Sequence, residues 1–371
     1  GNLAVRLSTI ALRSIAVTQS GDTLQLVLLG SESLALSACL QAPEFQDCNA
    51  ADVLAVIPLT VEAAGVGVDA SIQPFLVPLP AGSVTRVFPV PHLPSSVGVG
   101  VIRAGSDGSE FEVYRVLLGR TQEESVVELV ATLPEQCTHL AFITPPISTT
   151  DANPSNIHTV ENDDMSMAVV ALSLRGRLYC NESLLSSGVS SFAYNESFGM
   201  LMFATVGTRP HLHFCSIQRL LALDALQHSD AQESAECAEP RPIERGARLV
   251  ITAEGSSRVV MQLPRGNLET IEPRPLILLR AQHLIHAGQL LDCLILLRKQ
   301  RVDLNYLIDY SPRIFFDCLP GLVSSMLKTN HDLISLLVTA LEPVDVTLYK
   351  YPLDRNCQAL HEPREVQNFT G

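Results

Sequence analysis

Apolar residues alternate with other residues over the first two thirds of the chain, in short runs separated by turn-forming sequences. The alternation is clear from Leu24 to Leu28, and a second run covers residues 33–40. Residues 97–103 and 111–118 flank a Gly-Ser-Asp-Gly sequence, whose small residues suit a hairpin turn. Further runs cover residues 167–174, 177–180, 200–206 and 211–217. Short strands at this density predict a β-sandwich, a barrel or a propeller.

The pattern changes at residues 262–269, where Pro264 and Gly266 predict a change of chain direction. Apolar residues then recur at three- and four-residue spacing, which predicts a helix-like stretch over residues 276–297, with Pro275 at its start. Its predicted buried stripe consists of Leu276, Leu279, His283, Ile285, His286, Leu290, Leu294 and Leu297. More apolar segments predict a stack of short helices, at residues 302–312, 313–319 and 332–341.

Two motifs lie on the C-terminal side of this change. The first is Leu263-Pro264-Arg265-Gly266-Asn267-Leu268-Glu269, followed by Pro273-Arg274 and the leucine-rich helix. The second runs from Leu297-Arg298-Lys299 through Arg301, Leu304, Asn305 and Asp309 to Pro312 and Phe315. In both motifs the sequence resembles the family of the largest, scaffold subunit of the Elongator complex, also called the IκB kinase complex-associated protein.

A third motif, residues 175–179 with Asn181 and Ser183, looks like a strand pair late in the second propeller of that family. The chain has Asp303 where the family usually has asparagine. The resemblance assigns a structural signature to Pro264, Arg265, Gly266, Asn267, Leu268, Glu269, Arg298, Lys299, Arg301, Leu304, Asn305, Asp309 and Pro312.

The resemblance implies a mainly β fold followed by α structure. Residues 1–264 would form an incomplete WD40-like β-propeller, the second of two in the family, and residues 265–275 a connecting segment. Residues 276–371 would begin a TPR-like α-helical repeat array, or solenoid. The chain begins at Gly1 and is expected to be a fragment. We further expect Pro264 to Pro275 to set the angle between propeller and helices, with Leu268 and Ile271 packed under the first helix pair.

The resemblance also implies a function. In that family the protein is a non-catalytic scaffold of Elongator, which modifies wobble uridine of certain tRNAs to a carboxymethyl-type derivative. The implied partners are the second propeller subunit and a catalytic subunit with radical S-adenosylmethionine and acetyltransferase-like domains. The family forms a homodimer through a C-terminal region absent from this chain, and tRNA would be an indirect partner. The alternative is a propeller and helical-repeat scaffold of a trafficking or coat complex, which shares the architecture without tRNA chemistry.

Charge is distributed unevenly along the chain. The formal net charge is −14, with 14 basic and 27 acidic residues up to Pro264, and 11 against 12 from Arg265 onward. Nucleic-acid affinity rests mainly on Lys and Arg, so the acidic part is a poor phosphate-binding surface. The basic run from Arg298 to Arg301 could contact RNA, but a helix C-terminus with its usual cations is the favoured explanation.

The nine cysteines lack paired short spacings, which favours reduced, mostly buried thiols over a disulfide framework. This indicates a cytoplasmic protein, with the nucleus as an additional compartment. A secreted all-β enzyme is disfavoured because no signal peptide, paired cysteines or acid and base pair is visible. No apolar run approaches the roughly 20 residues that span a bilayer, so no membrane partner is expected.

Few residues suggest chemistry, and no catalytic, cofactor or metal residue is assigned. His211, His213 and Cys215 would share one face of a strand, but a structural zinc site usually needs a fourth ligand. His283 and His286 lack an acidic or nucleophilic neighbour and are expected to flank the buried stripe. Gly98 and Gly100 lack the third glycine and the helix of a dinucleotide loop.

Overall fold

The computed structural model describes residues 12–20, 23–30, 53–62, 65–68, 75–79, 83–89, 96–105, 108–118, 124–143, 167–225, 238–253, 255–329 and 331–351. The predicted strand at residues 33–40 lies outside these ranges. The contacts within the chain define two units, Gly1–Arg248 and Leu249–Gly371.

Most of the described residues of the first unit lie in antiparallel sheets built from consecutive strands. The first sheet has five strands, β1 Leu12–Ser20, β2 Thr23–Gly30, β3 Val53–Glu62, β4 Gly65–Val68 and β5 Phe75–Pro78. The second has β6 Ser83–Pro89, β7 Ser96–Gly105, β8 Gly108–Leu117 and β9 Val126–Leu133. The third has β10 Cys137–Ile143, β11 Ala168–Ser173, β12 Arg177–Cys180 and β13 Ser183–Ser187. The fourth has β14 Val189–Asn195, β15 Met200–Thr205, β16 His211–Ser216 and β17 Arg241–Pro242.

The hairpin predicted from the Gly-Ser-Asp-Gly sequence is confirmed. Strands β7 and β8 pair along their whole length, from Ser96 opposite Leu117 to Gly105 opposite Gly108. Alternate valines of β7 are completely buried at positions 97, 99 and 101. Burying apolar side chains on one side of each strand supplies the main driving force for the sheet.

Gly98 lies on the opposite side of β7, where two aromatic rings leave no space for a larger residue. The rings of Phe88 in β6 and Phe142 in β10 stack with their centroids 5.2 Å apart. A Cβ atom at residue 98 would overlap both rings. Gly98 therefore serves packing between neighbouring sheets, and Gly98 and Gly100 lie in a strand rather than in a nucleotide-binding loop.

The third motif forms β12 and the start of β13, and these two strands pair. Gly176 turns the chain between β11 and β12 with φ 73°, and its amide donates to the carbonyl of Ser173 at 3.1 Å. Asn181 follows β12 with φ 51°, a conformation that asparagine tolerates better than most residues. Its side-chain oxygen accepts a 2.9 Å hydrogen bond from the amide of Val169, so the asparagine ties this turn to the start of β11.

The last strand of the fourth sheet is only two residues long. Arg241 and Pro242 form β17, which pairs with Leu212 and His211 of β16. The helix α1 Ile217–Ala225 follows β16 directly. The pairing of β17 adds a fourth strand to this sheet, and only long-range pairing reveals it because two residues carry no periodic pattern.

Cysteines of the described residues carry free thiols, at positions 137, 180, 215, 293 and 318. The first four are buried, as the sequence predicts. Burial raises the pKa of Cys137 to about 12, with Glu135 adding to the effect, and burial raises the pKa of Cys293 to about 12. These two thiols therefore remain protonated and weakly reactive at neutral pH.

The second unit begins with a three-stranded sheet, β18 Arg248–Thr252, β19 Val259–Gln262 and β20 Leu268–Ile271. The predicted boundary at residue 264 therefore lies inside this unit, between β19 and β20. Six helices follow among the described residues, namely α2 Arg274–His286, α3 Leu290–Lys299, α4 Tyr306–Asp309, α5 Pro312–Thr329, α6 Asp332–Thr339 and α7 Val346–Tyr349. None of these described helices is long and apolar enough to cross a membrane.

The prediction of one continuous helix over residues 276–297 is wrong. The chain forms two helices, α2 and α3, because Gly288 follows α2 with φ 69° and turns the chain. The amide of Gln289 donates to the carbonyl of Leu284 at 2.9 Å, which closes the helix end in the way that a glycine with positive φ allows. The start is as predicted, with Pro275 in the first turn of α2.

The helices share one apolar core. Fully buried residues from α2, α3 and α4 meet there, together with residues of α5, α6 and α7; among them are Ala281, Ile285, Cys293, Leu294, Leu297, Tyr306, Leu307, Met326, Leu333 and Val346. His283 and His286 of the predicted stripe lie at its exposed edge. The core explains the three- and four-residue spacing, since residues at that spacing share one side of a helix.

Candidate functional site in the helical unit

The first signature motif forms the turn of a β-hairpin. Strands β19 and β20 pair from Val259 opposite Ile271 to Gln262 opposite Leu268. The amide of Leu263 donates to the carbonyl of Asn267, and that of Gly266 donates to the carbonyl of Leu263, both at 2.9 Å. Gly266 has φ 87°, which residues with a Cβ rarely adopt. The backbone conformation of this turn therefore explains why the motif has a glycine at this position.

The side chains of this turn point to solvent. Pro264, Arg265, Asn267 and Glu269 are exposed, and Leu268 is 65% exposed. The expectation that Leu268 packs under the first helix pair is therefore wrong. Leu268 and Ile271 lie on opposite sides of a strand, so only one of them can face the core. Ile271 is the buried one, at 9% exposure.

Glu272, directly after β20, connects this sheet to the first two helices of the unit. Its Oε1 accepts a hydrogen bond from Nε of Arg258 at 3.0 Å, within an ion pair. Its Oε2 accepts from the side-chain amide of Gln300, which follows α3. Nη1 of Arg274 in turn donates to the main-chain oxygen of Gln300 at 3.2 Å. This cluster fixes the sheet against the ends of α2 and α3 in place of the predicted Leu268 contact.

Asn305, from the second signature motif, joins two distant segments of the helical unit. It is 1% exposed, and its side-chain nitrogen donates to the carbonyl of Ala340 at 2.7 Å and to Oδ1 of Asp303 at 2.9 Å. Its side-chain oxygen accepts from the amide of Glu342 at 2.9 Å. Each such bond contributes on the order of 1 kcal/mol, and losing a buried partner costs more. The asparagine therefore fixes the chain after α6 against the start of α4.

Asp309, from the same motif, holds the start of the last described helix. It is 1% exposed, and its Oδ2 accepts from the buried amide of Val346 at 3.0 Å. The first amides of a helix lack partners within the helix, so a carboxylate there stabilises it. Leu304, which precedes Asn305, is buried, and Pro312 opens α5. The motif thus combines core packing with polar joints.

An ion pair and a tyrosine complete this polar hub, which we define as Asp303, Asn305, Asp309, Lys350 and Tyr351. Nζ of Lys350 lies 2.6 Å from Oδ2 of Asp303. The hydroxyl of Tyr351 accepts from the amide of Asp303 at 3.1 Å. Burial opposes ionisation of Asp303, but hydrogen bonds from Lys350 and Asn305 outweigh it and hold the pKa of this carboxyl below its usual 3.8. The hydrogen bond to Asp303 raises the pKa of Lys350.

Three tyrosines stack beside the hub. Rings of Tyr306 and Tyr310 lie 5.7 Å apart and nearly parallel, and Tyr351 meets Tyr306 edge to face at 5.7 Å. Gln282 of α2 donates to the hydroxyl of Tyr306 at 2.9 Å, and Nε2 of His286 lies 2.9 Å from that of Tyr310. Burial lowers the pKa of His286, so it is mainly neutral at physiological pH. These contacts give His286 a structural role at the core edge.

The remaining signature cations lie together where α3 ends. Arg298 and Lys299 form its last turn, and Arg301 follows with φ 53°. All three are exposed. A residue with a Cβ pays on the order of 1 kcal/mol for this left-handed conformation. The signature residues thus occupy three places, namely the hairpin turn, the end of α3 and the hub.

His211, His213 and Cys215 do share β16, but each has a local contact. The ring of His213 stacks on Phe203 with centroids 4.8 Å apart, and Nδ1 of His211 lies 2.8 Å from the carbonyl oxygen of Arg209. Cys215 is buried in the core. Within the described ranges, no group of three His, Cys, Asp or Glu residues is placed to hold a metal ion.

Sequence reasoning missed several members of the site. Glu272, Arg258 and Gln300 carry no motif, and the hub partners from residues 340–351 lie 35 to 48 residues beyond the motif residues they contact. The available signal was limited to a polar residue beside a helix end. In this arrangement polar groups join separate segments of a protein in which antiparallel sheets precede stacked short helices.

Two family models match this chain. The model described as the ELP1 N-terminal second beta-propeller matches residues 121–250, and the model described as the ELP1 alpha-solenoid matches residues 274–369. Together they cover more than half of the chain, in the order that the sequence predicts. The chain belongs to the Elongator complex protein 1 family, and its fold class is a β-propeller followed by an α-solenoid.

Named relatives agree with this assignment. Elongator complex protein 1 of Schizosaccharomyces pombe is 34% identical over 203 residues, which are 54% of this chain and 15% of that protein. The Saccharomyces cerevisiae protein of the same name is 32% identical over 199 residues, 52% of this chain and 14% of its own length. The chain thus spans about one seventh of these relatives. Among solved structures, Sqt1 of Chaetomium thermophilum aligns at 10% identity with a TM-score of 0.35, over 71% of this chain and 58% of Sqt1, too weakly to define a fold.

Proposed function

We propose that this chain is a non-catalytic scaffold segment of the Elongator complex, which supports carboxymethyl-type modification of wobble uridine in tRNA. The observation that carries the proposal is the match of both family models in their expected order, at residues 121–250 and 274–369. The names of the relatives support membership of the Elongator complex in general terms. The scaffold role and the tRNA reaction extend that statement.

The contacts of the helical unit are consistent with a scaffold. Asn305 and Asp309 use buried polar bonds to hold separate segments in one arrangement. Buried polar bonds of this kind favour one packing because alternative arrangements would leave these groups unpaired. Such stacked short helices offer extended surfaces for other proteins. Conformational precision of this kind suits a protein that positions other subunits.

The proposed partners are the second propeller subunit and the catalytic radical S-adenosylmethionine subunit with its acetyltransferase-like domain. Homodimerisation would use a C-terminal region outside this chain, and contact with tRNA would be indirect. The near balance of basic and acidic residues from Arg265 onward fits this division, since an RNA-holding surface is expected to be strongly basic.

Replacement of the full-length protein in its own cells tests this function. We would express tagged wild type, Asn305→Ala and the exposed control Thr339→Ala in cells that lack the endogenous protein. Mass spectrometry would quantify the recovered subunits, and nucleoside analysis would quantify carboxymethyl-type wobble uridine. We expect wild type and Thr339→Ala to recover the catalytic subunit near stoichiometry and to restore the modified uridine. Asn305→Ala should reduce both together.

Two results would refute the proposal. Recovery of coat or transport components without the radical S-adenosylmethionine subunit would favour the trafficking scaffold instead. Modified uridine at normal levels in cells lacking the protein would remove the link to tRNA.

We also propose a cytoplasmic location, with a nuclear fraction as a second compartment. Fluorescence of the full-length protein tagged at its native locus tests it, and a purely organellar signal would contradict it.

A further inference from the structure

Three cations at the end of α3 have no partner in the described part of the chain. Arg298, Lys299 and Arg301 are exposed, and none takes part in an ion pair or a side-chain hydrogen bond there. Other cations of the same unit do pair, as Arg258 does with Glu272 and Lys350 does with Asp303. The three lie within four consecutive residues, so their charges act together.

The usual role of cations at a helix C-terminus is to satisfy the last carbonyl groups and to offset the helix dipole. Other groups already satisfy carbonyls at this end of α3. The amide of Val302 donates to the carbonyl of Leu297 at 2.9 Å, and Nη1 of Arg274 donates to that of Gln300 at 3.2 Å. The helix dipole readily explains one cation at this position. It explains less readily three cations whose side chains bond to none of the last carbonyl groups.

The conformation of Arg301 adds an independent observation. It occupies the left-handed position that follows a helix, with φ 53°. The preceding helix, α2, has Gly288 at the equivalent position with φ 69°. Glycine adopts this conformation without strain, whereas arginine does not. The chain therefore keeps a charge at a position where glycine would fit better, a conflict typical of functional sites.

We propose that Arg298, Lys299 and Arg301 form a docking site for an acidic segment of another subunit of the complex. The inference rests on the proposed scaffold function for the identity of that complex. Guanidinium groups bind carboxylates through paired hydrogen bonds, and the ammonium group adds a point charge. Exposed cations matched to an acidic partner mainly accelerate and orient docking, and their effect weakens with salt.

An acidic protein segment fits this site better than RNA. Three cations neutralise few phosphates, whereas nucleic-acid sites generally combine more contacts. Residues 290–303 contain no aromatic side chain on which a base could stack. The chain from Arg265 onward has 11 basic and 12 acidic residues, so no wider basic field extends the site.

Zero-length crosslinking in the assembled complex tests the proposal. A carbodiimide joins a lysine amine to a carboxylate only when the two are in contact. We expect Lys299 of the wild-type complex to couple to an Asp or Glu of another subunit. The double variant Arg298→Glu/Arg301→Glu keeps Lys299 as reporter and should lower the yield roughly tenfold, as expected for an exposed charge cluster. Reversing the charges of the coupled segment should restore the yield with this variant.

The matched control is Lys328→Glu, an exposed cation in the last turn of α5, which should leave the crosslink unchanged. Nuclease treatment separates the two classes of partner. If Lys299 becomes accessible to acylation only after nuclease treatment, the partner is RNA and the proposal is wrong. If the wild-type complex assembles and Lys299 couples to no other chain, the proposal is also wrong, while the scaffold function stands. Failure of the wild type to assemble would instead count against the scaffold function.

Discussion

Nζ of Lys350 lies 2.6 Å from Oδ2 of Asp303, although 47 residues separate the two in the chain. The contact links the segment after α3 to the end of the last described helix. Both partners retain some exposure, at 47% for the lysine side chain and 14% for the aspartate. Solvent screens such pairs, so the link contributes less than its short distance suggests.

The Lys350–Asp303 pair predicts a specific pH dependence. Because the pKa of Asp303 in the folded state lies below 3.8, its contribution is present above pH 3.8 and is lost as the pH falls through the folded value. We expect Asp303→Asn to weaken the hub by less than about 1 kcal/mol at pH 7, since exposed pairs contribute little. The difference between the two proteins should vanish at lower pH.

Hydrogen exchange of residues 303–310 and 342–351 measures this effect locally, which is preferable to one melting temperature in a chain of two units. The comparison is made at pH 7 and at the lowest pH where the protein remains folded. A difference that grows as the pH falls would contradict the assignment.

Asn305→Ala should destabilise the helical unit more than any exposed substitution in it. The change leaves the carbonyl of Ala340 and the amide of Glu342 without their buried partner. We expect a loss of about 1–3 kcal/mol in the opening free energy of α6 and α7, from hydrogen exchange. Thr339→Ala is the control, because this exposed hydroxyl bonds only to carbonyls of its own helix. Equal effects of the two variants would show that the contacts of Asn305 do not stabilise the helical unit.

Gly98→Ala should disturb the packing of β6, β7 and β10. The added Cβ overlaps the rings of Phe88 and Phe142, so one of them must leave its position. Overpacking of this kind costs typically about 1–3 kcal/mol. The matched control is Gly321→Ala in helix α5. Apart from the backbone of the helix itself, nothing lies within 4 Å of a Cβ added there. Thermal unfolding should shift down for the first variant and stay level or rise for the second.

Gly266→Val should loosen the β19–β20 hairpin through its backbone. Space is available, since nothing lies within 4 Å of an added Cβ, but φ 87° excludes a β-branched residue without strain. We expect faster hydrogen exchange over residues 259–271 and reduced recovery of the partner subunits. Gly266→Asn, a residue more tolerant of positive φ, is the control and should behave closer to wild type. Unchanged co-purification of Gly266→Val would show that the turn does not contribute to assembly.

Arg301→Gly should stabilise the isolated chain while removing one charge of the docking site. Relief of the left-handed conformation is worth about 1 kcal/mol. The opening free energy of the helical unit, measured by hydrogen exchange, should therefore rise, in contrast to Asp303→Asn and Asn305→Ala. A lower stability would mean that the Arg301 side chain supports the fold. The strain at Arg301 would then be no argument that this residue serves docking.

Local chemistry made much of the fold predictable. The β7–β8 hairpin follows from alternating valines and a Gly-Ser-Asp-Gly turn, both read within one short window. Pro275 marks the start of α2 because a proline in the first helical turn loses no internal hydrogen bond. Gly266 signals the hairpin turn for the same local reason. The break at Gly288 was missed because apolar spacing continued across it, and a glycine alone does not distinguish a turn from a tolerated helical residue.

The sequence by itself determined that short strands precede short helices and that the chain belongs to the Elongator complex protein 1 family. Only the tertiary structure decided that Leu268 faces solvent while Ile271 is buried, and that Glu272 connects the sheet to α3. It alone paired Asn305 and Asp309 with a segment near residue 345. The physical reason is that strand and helix patterns arise from neighbouring residues, whereas the partners of a buried polar group are set by how distant segments pack.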